Sequence, residues 1–343
     1  MPRVVESVWH YDLVWHIIDP VMASVESPDK ILRSLGTAHR RRLKADLALL
    51  SVSLIWGIAF VVQRIAAAEI GAFLFNGLRF LMGAVVLLPF TRLDTFGKSN
   101  APVNAGMIHR KTLLGVILAG MLLFSGAALQ QSGLKYTTAG NAGFITGLYV
   151  VWIPLFMALV WRQCPRPAIW ISAALSASGL YLLSTGGQMR LNPGDVLVLA
   201  SSVFWALHVI LIGRLVQCVG VVQLAIGQYL ICGLISTLIG VAIEAHTLPA
   251  LIEDWWVVVY TGVISVGLGY TLQAVGQRVA PPADAAILLS MEAVFAALFG
   301  WWILNEKLDL VQLLGCGVIF VGILLAQSDP LIGNRRPKDD SGR

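Results

Sequence analysis

Ten apolar stretches of roughly 17–24 residues each fill the chain between Asp46 and Ala326. That length is what an α-helix needs to cross about 30 Å of hydrocarbon. The stretches are continuously apolar rather than alternating, which favours helices over the strands of a barrel. The sequence therefore predicts an all-α integral membrane protein with ten transmembrane helices. We number them as spans 1 to 10, at residues 46–63, 72–90, 113–132, 139–161, 168–185, 196–213, 220–243, 256–275, 284–304 and 310–327.

The composition agrees with this class. Apolar residues make up 57% of the chain and charged residues only 13%, whereas a soluble domain carries about 25% charged residues. A soluble chain of this composition would expose large apolar patches and aggregate. The lipid bilayer is therefore the expected solvent.

The second half of the chain repeats the first at an offset of 143 residues. The matched pairs are Gly126 and Gly269, Leu129 and Leu272, Gln130 and Gln273, Gly133 and Gly276, Asn141 and Asp284, and Gly179 and Gly322. A unit of five helices ends on the opposite side of the bilayer from where it began, because five is odd. A second copy of the unit must therefore lie in the bilayer in the opposite orientation. Inverted repeats place a site at the midplane between the halves, as in alternating-access carriers. We predict repeats at 46–185 and 195–328, a cytoplasmic extension at 1–45 and a cytoplasmic tail at 329–343.

The basic residues predict the topology. With the N-terminus in the cytoplasm, 19 of the 24 Lys and Arg fall in cytoplasmic segments. Loop 244–255 on the opposite side carries three acidic residues and no Lys or Arg. This is the positive-inside pattern, so the net charge of +5 does not indicate nucleic acid. Attraction to anionic lipid would explain the same placement.

The N-terminal extension does not resemble a signal peptide, because polar and charged residues interrupt any apolar core. Residues 9–18 could form a weak interfacial helix. Alternatively, residues 1–21 are a dispensable extension and Met22 is the start of the chain. The sequence leaves both interpretations open.

Short motifs in the spans carry a family resemblance. They are Ser53-Leu54-Ile55-Trp56-Gly57 in span 1, Phe75-Asn76-Gly77-Leu78-Arg79-Phe80 in span 2, Ser290-Met291-Glu292-Ala293-Val294-Phe295 and Leu304-Asn305-Glu306-Lys307-Leu308 in and after span 9, and Gly315-Cys316-Gly317 in span 10. Their order and spacing resemble the EamA-type branch of the drug/metabolite transporter superfamily over about 46–328. The resemblance implies two EamA modules in a cell inner (plasma) membrane protein that moves small metabolites. In two departures, Gln163 stands where the repeat offset would place a second Glu306, and Ala293 stands where many relatives have Pro.

Glu292 is the sharpest candidate among the polar residues inside spans. A carboxyl near mid-depth costs roughly 2.5–3.5 kcal/mol to insert, so it should face the bundle interior or a water-filled cavity. Loss of hydration favours the protonated carboxyl, which makes Glu292 a proton-coupling candidate. The alternative is a neutral carboxyl that hydrogen-bonds a neighbouring helix.

Arg79 lies about seven residues into span 2 and needs an anionic or carbonyl partner there. It is a candidate contact for a solute carboxylate, or for Glu292. The alternative is a fixed structural bridge. Asn76, three residues earlier, shares its helix face and is a candidate for the same cavity.

Amide and aromatic side chains complete the candidate cavity. Gln130 and Gln273 occupy equivalent positions in spans 3 and 8 and could bind a solute or join helices, and Tyr270 shares a face with Gln273. Trp56 and Trp205 could sandwich an apolar solute or simply pack. Weaker candidates of the same kind are Gln63, Arg64, Thr146, His208, Gln223 and Gln228.

Enzyme motifs are missing from the sequence. There is no His-Glu-x-x-His, Gly-x-Gly-Asp, Gly-x-Ser-x-Gly or Walker A pattern, and Pro193-Gly194-Asp195 is typical of a turn and helix N-cap. The four cysteines show no metal-ligand spacing. We therefore expect no catalysis, cofactor, metal or disulfide.

The sequence thus predicts a secondary carrier that works by alternating access, and the resemblance implies export of amino-acid-like or drug-like solutes. Proton coupling and passive facilitation both fit. A non-catalytic membrane subunit of a larger complex is the competing interpretation. The expected partners are a small-molecule solute and the lipid bilayer. A homodimer is compatible with the sequence, which contains nothing that requires one.

Overall fold

The computed structural model describes residues 28–92, 105–185, 192–307 and 309–332, and every regular element within them is a helix. The α-helices are α1 Pro28–Glu69, α2 Ala72–Leu87, α3 Ala105–Leu134, α4 Ala139–Gly147, α5 Tyr149–Leu159, α6 Pro167–Thr185, α7 Pro193–Leu215, α8 Val221–Ile243, α9 Leu248–Glu253, α10 Trp255–Val259, α11 Thr271–Gln277, α12 Pro282–Leu289, α13 Met291–Leu304 and α14 Leu310–Ile332. Short 3₁₀ helices follow α2 and α8, and a π-helix at Tyr260–Tyr270 joins α10 to α11. The chain divides into two units between Lys44 and Ala45, and the cavity and side-chain contacts described below lie in the second. The expected interfacial helix at 9–18, the alternative start at Met22 and the tail from residue 333 onward lie outside the described residues.

The repeated apolar helices confirm a multi-pass membrane protein. Within the described ranges, eight helical stretches are long and apolar enough to cross a bilayer: His39–Glu69, Ala72–Thr91, Arg110–Leu134, Ala139–Leu159, Pro193–Leu215, Val221–Ile243, Trp255–Gln277 and Pro282–Leu304. The stretches predicted as spans 5 and 10 are helical too, but their apolar parts are shorter, at Pro167–Leu183 and Leu310–Ala326.

Three predicted spans are not the continuous α-helices that the sequence suggested. Span 4 tightens into a turn at Leu148, where ψ is −11°, and is divided into α4 and α5. Span 9 does the same at Ser290, where ψ is −15°, and is divided into α12 and α13. Span 8 is a π-helix between Tyr260 and Tyr270 and an α-helix on either side of it. The breaks in spans 4 and 9 fall within one residue of the 143-residue offset, so the repeat includes these irregularities.

The start of α7 is fixed by a capping box. The Asn192 side chain accepts a hydrogen bond from the Asp195 backbone N–H, and the Asp195 carboxylate accepts one from the Asn192 N–H. Asn192 is therefore the N-cap, one residue before the segment in which the sequence placed it. The Thr137 hydroxyl also donates to Asp195 over 2.6 Å, which ties the end of span 3 to the start of span 6.

The N-terminus of α2 is capped by residues that follow the neighbouring helix α8. Glu244, which follows α8, accepts a hydrogen bond from the Leu74 N–H over 2.8 Å. Thr247 accepts one from the Gly71 N–H over 3.2 Å. The first N–H groups of a helix have no partner within it, so these two contacts fix α2 against α8 and hold the face of α2 that carries Arg79.

The two shorter helices, α6 and α14, pack against each other at backbone distance. A Cβ atom added at Gly315 would lie 2.5 Å from the Gly179 carbonyl oxygen, and one added at Gly179 would lie 2.6 Å from the Gly315 oxygen. Small residues permit such close approach between helices in lipid. Gly317 lies two residues after Gly315 on the same helix. A Cβ atom added there would have no neighbouring atom within 4 Å.

We therefore predict that Gly315→Ala destabilises the protein by about 1–3 kcal/mol, because the added methyl overpacks a backbone contact. Gly317→Ala is the matched control, since it adds the same methyl to the same helix where nothing opposes it. Thermal unfolding of the purified proteins in detergent measures the difference. Equal midpoints for the two variants would contradict the close crossing.

Candidate functional site

A small cavity lies beside the breaks in spans 4 and 9. It measures about 30 Å³, far below the roughly 300–1,000 Å³ of a typical small-molecule site. It is lined by Trp56, Phe60, Gln63, Arg79, Gln130, Thr146, Tyr149, Trp205, His208, Val209, Ser265, Tyr270, Gln273 and Glu292. Seven of the eight residues that the sequence singled out therefore surround one space, although they come from six different spans.

The two tryptophans are exchanged between the halves. Trp56 of span 1 packs on Gly269 of span 8, with its Nε1 atom 2.7 Å from the position of an added Cβ. Trp205 of span 6 packs on Gly126 of span 3, at 3.1 Å. Gly126 and Gly269 are equivalent at the repeat offset, so each half supplies a tryptophan to the matching glycine of the other. Any larger residue at either glycine would displace an indole from the cavity wall.

Tyr270 occupies the space between the two tryptophans. Its ring centroid lies 4.7 Å from that of Trp56 and 6.0 Å from that of Trp205, against which it stacks. Trp56 also donates its indole N–H to the Ser265 carbonyl over 3.2 Å, within the π-helix. The sandwich that the sequence suggested for a solute is thus filled by the protein's own ring in this closed arrangement.

Arg79 is a buried cation with no anionic partner within 4 Å in the described part of the chain. It is 2% exposed, and its guanidinium carbon lies 5.1 Å from the Phe75 ring centroid and 5.0 Å from that of Phe80. Its Nε–H has no hydrogen-bond partner. Cation–π contacts stabilise a desolvated guanidinium by about 2 kcal/mol, which is less than the cost of burying an unpaired charge. The pairing with Glu292 that the sequence allowed does not form here.

Glu292 faces the cavity from the first turn of α13. It is 2% exposed, and its Oε1 atom has no hydrogen-bond partner. Its neighbour is the Tyr149 hydroxyl on α5, which the sequence analysis did not select. Tyr149 follows Thr146 by three residues on span 4, so helical spacing was the signal that could have found it.

The equivalent glutamines differ in their bonding. Gln130 donates from Nε2 to the Thr146 hydroxyl over 2.9 Å, which joins span 3 to span 4. The Gln273 Nε2 group has no partner, although the residue is only 1% exposed. Gln130 is thus committed to a helix contact, whereas Gln273 is available to a bound molecule.

The weaker candidates have different placements. Gln63, Thr146 and His208 line the cavity, and the His208 Nε2–H donates to Gln228 Oε1 over 2.7 Å. His208 Nδ1 has no hydrogen-bond partner. Arg64 is half-buried and Gln223 is exposed, and neither lines the cavity.

Asn76 is the one residue of the eight leading candidates that does not line the cavity. It is fully buried, and its amide donates to the Ala127 carbonyl over 3.0 Å, so it joins α2 to α3. The prediction that it shares the cavity with Arg79 is corrected. One helical turn separates the two residues, but Asn76 meets a neighbouring backbone instead.

The repeated apolar helices agree with what comparison with known proteins shows. The model of the EamA-like transporter family matches residues 43–185 and 192–327. The chain belongs to this family and is a membrane transporter of the drug/metabolite transporter superfamily, which confirms the resemblance read from the motifs.

Curated relatives extend over most of the chain. One, from Archaeoglobus fulgidus and named an uncharacterized transporter, is 31% identical over 84% of this chain and 88% of its own length. Another, from Escherichia coli and named the uncharacterized inner membrane transporter YedA, is 26% identical over 81% of this chain and 89% of its own length.

A protein of known crystal structure shares the fold. It is 21% identical to this chain and superposes with a TM-score of 0.66, covering 86% of this chain and all of the other. At that identity the likeness concerns the path of the helices and not the residues of the cavity.

The two glutamines give a matched test of the site. We predict that Gln130→Met lowers the free energy of unfolding by about 0.6 kcal/mol, the mean for an interhelical hydrogen bond in a membrane. Gln273→Met should leave stability unchanged or raised, because it removes a buried donor that has no partner. Thermal unfolding in detergent measures both. Equal losses would show that the two amides have the same structural role.

Proposed function

We propose that this protein is an inner-membrane secondary carrier that exports amino-acid-like metabolites by alternating access. The observation that carries the proposal is the small cavity between the spans, whose wall presents hydrogen-bonding atoms without partners. Unsatisfied buried polar atoms each cost about 1–3 kcal/mol, so a wall with several of them is suited to a polar molecule that binds and leaves.

The architecture we propose is ten transmembrane helices in two inverted repeats, at 46–185 and 195–328. The exchange of Trp56 and Trp205 onto equivalent glycines supports a two-fold relation between the halves. So does the similar position of the breaks at Leu148 and Ser290. Broken spans beside a midplane cavity are typical of carriers built from inverted repeats.

The chemistry of the wall suggests a solute with both an acidic and a basic group. The wall presents donors without partners at Arg79 Nε, Trp205 Nε1 and Gln273 Nε2, and acceptors without partners at Gln63 Oε1 and Glu292 Oε1. The Tyr149 hydroxyl and His208 Nδ1 also have no partner. A carboxylate would satisfy the donors and neutralise Arg79. An ammonium group would satisfy the acceptors. Tyr270, between the two indoles, would then move aside for an apolar side chain.

The cavity's small volume supports a mechanism in which access changes during transport. About 30 Å³ admits one or two waters but not a metabolite. The arrangement is therefore a closed one, and a solute would enter only when helices part on one side. This requirement distinguishes a carrier from an open channel.

We propose that Glu292 couples transport to protons. Supporting this role, its carboxyl is buried, lies on the cavity and has an oxygen without a partner. Binding a proton would remove the cost of a charge in lipid, and releasing it would free the oxygens for a cationic group of the solute. Solute and proton would then compete for one carboxylate, as in an antiporter.

The orientation and location also belong to the proposal. The distribution of basic residues supports cytoplasmic termini, and YedA is named an inner membrane transporter. Export is the direction that the resemblance to drug/metabolite transporters suggests.

Transport by the purified protein in liposomes tests the proposal. We expect one class from a labelled panel of amino acids, nucleobases and sugars to move, with amino acids that bear apolar side chains moving fastest. An imposed pH gradient should drive accumulation. Movement only down the solute gradient would mean a passive facilitator. No movement of any solute would favour the subunit interpretation.

Two variants then test the residues. Glu292→Gln should abolish accumulation driven by a pH gradient but retain exchange of solute for solute, because the amide is permanently neutral. Arg79→Gln should weaken binding of the moving solute by at least about tenfold, the equivalent of about 1.4 kcal/mol for a lost charge-assisted bond. Glu253→Gln, an exposed carboxylate away from the cavity, is the control. Full gradient-driven accumulation by Glu292→Gln would overturn the coupling role.

A further inference from the structure

Spans 4 and 9 run antiparallel and are joined by charged side chains at both of their ends. Helices α4 and α13 pack together at one end, and α5 and α12 pack together at the other. The cavity residues Tyr149 and Glu292 lie between these ends. At 1.5 Å per residue, Glu292 is about 12 Å along the span from Asp284 and about 21 Å from Glu306.

An ion pair joins the α5 end. Arg166, in the connection after α5, lies 3.2 Å from both carboxylate oxygens of Asp284 in the first turn of α12. The Arg166 side chain is 39% exposed and that of Asp284 only 5%, so water reaches the pair from one side. Two residues beyond α5, Trp161 stacks beneath Arg214, with the guanidinium 4.3 Å from the ring centroid. This end is therefore closed mainly by arginine side chains.

A carboxylate and backbone groups join the α4 end. Glu306, just after α13, accepts hydrogen bonds from the N–H groups of Ala139 and Gly140 over 3.0 and 3.3 Å. These are the first residues of α4, where the helix dipole favours negative charge. The repeat has no equivalent contact, because Gln163 occupies the position that matches Glu306. The two ends are thus closed by different chemistry.

Both contacts act on halves of broken helices. The break at Leu148 separates the half of span 4 held by Glu306 from the half that leads to Arg166. The break at Ser290 separates the half of span 9 that carries Asp284 from the half that ends at Glu306. Each contact therefore restrains one pair of half-helices and leaves the other pair free to move.

We propose that the Arg166–Asp284 ion pair and the Glu306 carboxylate are latches at the two mouths of the cavity. Each latch opens in turn while the other holds, so the strengths of the two contacts set which side the cavity opens to. This inference rests on the proposed carrier function and adds the residues that control access. With both latches closed, the cavity has the small volume observed.

The test measures access to the cavity without any solute. Ser265 lines the cavity, and Ser265→Cys introduces a thiol there. A membrane-impermeant methanethiosulfonate with a quaternary ammonium is added to intact cells or to inverted membrane vesicles. Peptide mass spectrometry then gives the rate of modification at residue 265, separately from the four native cysteines. The reagent cannot enter the closed cavity, so this rate reports opening towards the side of addition.

We expect the two latch variants to act on opposite sides. Arg166→Gln should raise the rate about twofold to fivefold from its own side, the range for a partly exposed ion pair. Glu306→Gln should raise it by a similar factor from the other side, the range for a charge at a helix N-terminus. Under the proposed topology these sides are the cytoplasmic and the outer one respectively. Each variant should leave the rate from the opposite side unchanged or lower.

Matched controls separate latching from a general loss of charge. Lys111→Gln and Glu253→Gln each remove an exposed charge, the first from the predicted cytoplasmic side and the second from the outer side, and should leave both rates unchanged. The exchange of Arg166→Asp with Asp284→Arg should restore the starting rate, even if either single change prevents insertion.

The outcomes distinguish the proposed latches from the proposed carrier function on which they rest. Modification of Ser265→Cys with no shift in either latch variant, or with shifts towards the same side, overturns the latches and leaves the carrier standing. No modification from either side overturns both, because the cavity then never opens.

Discussion

The structure depends on the absence of water inside the bilayer. Backbone N–H and C=O groups there must find partners within the protein, so an unbroken helix is the default. In the described residues, departures from that default occur beside the cavity at Leu148, at Ser290 and in the π-helix between Tyr260 and Tyr270, and at the end of span 2 in the 3₁₀ helix Leu88–Arg92. The Trp56 indole and the Tyr229 hydroxyl supply hydrogen bonds to carbonyls of the π-helix. The irregular backbone thus coincides with the place where polar side chains compensate for it.

The same constraint explains why polar side chains in the spans donate to neighbouring helices, as Asn76 does to the Ala127 carbonyl. On the cavity wall, Gln130 donates to Thr146, whereas Arg79 Nε and Gln273 Nε2 have no partner. In the proposed carrier, a bound solute would supply hydrogen-bond partners for these atoms.

Close approach between helices supplies the stability that hydrophobic burial cannot provide in lipid. Glycines allow backbone contact between α6 and α14, and they also receive the exchanged tryptophans of the two halves. The shorter pair packs at the periphery and contributes nothing to the cavity wall. The halves are therefore joined at the cavity by aromatic rings and at the ends of spans 4 and 9 by charged contacts, which break more readily than a packed core.

The sequence by itself determined the membrane class, the family and most of the cavity wall. Polar groups in lipid must face inward, so Glu292, Arg79 and the glutamines could only point to the interior. Only the tertiary structure decided which of them have polar atoms without hydrogen-bond partners. Gln130 and Gln273 are equivalent in sequence, yet only Gln130 meets a hydroxyl, that of Thr146. The sequence also did not indicate the partners of Asp284 and Glu306, because these partners lie more than a hundred residues away in the chain. Sequence patterns report the environment of a residue, whereas its partner depends on how distant segments pack.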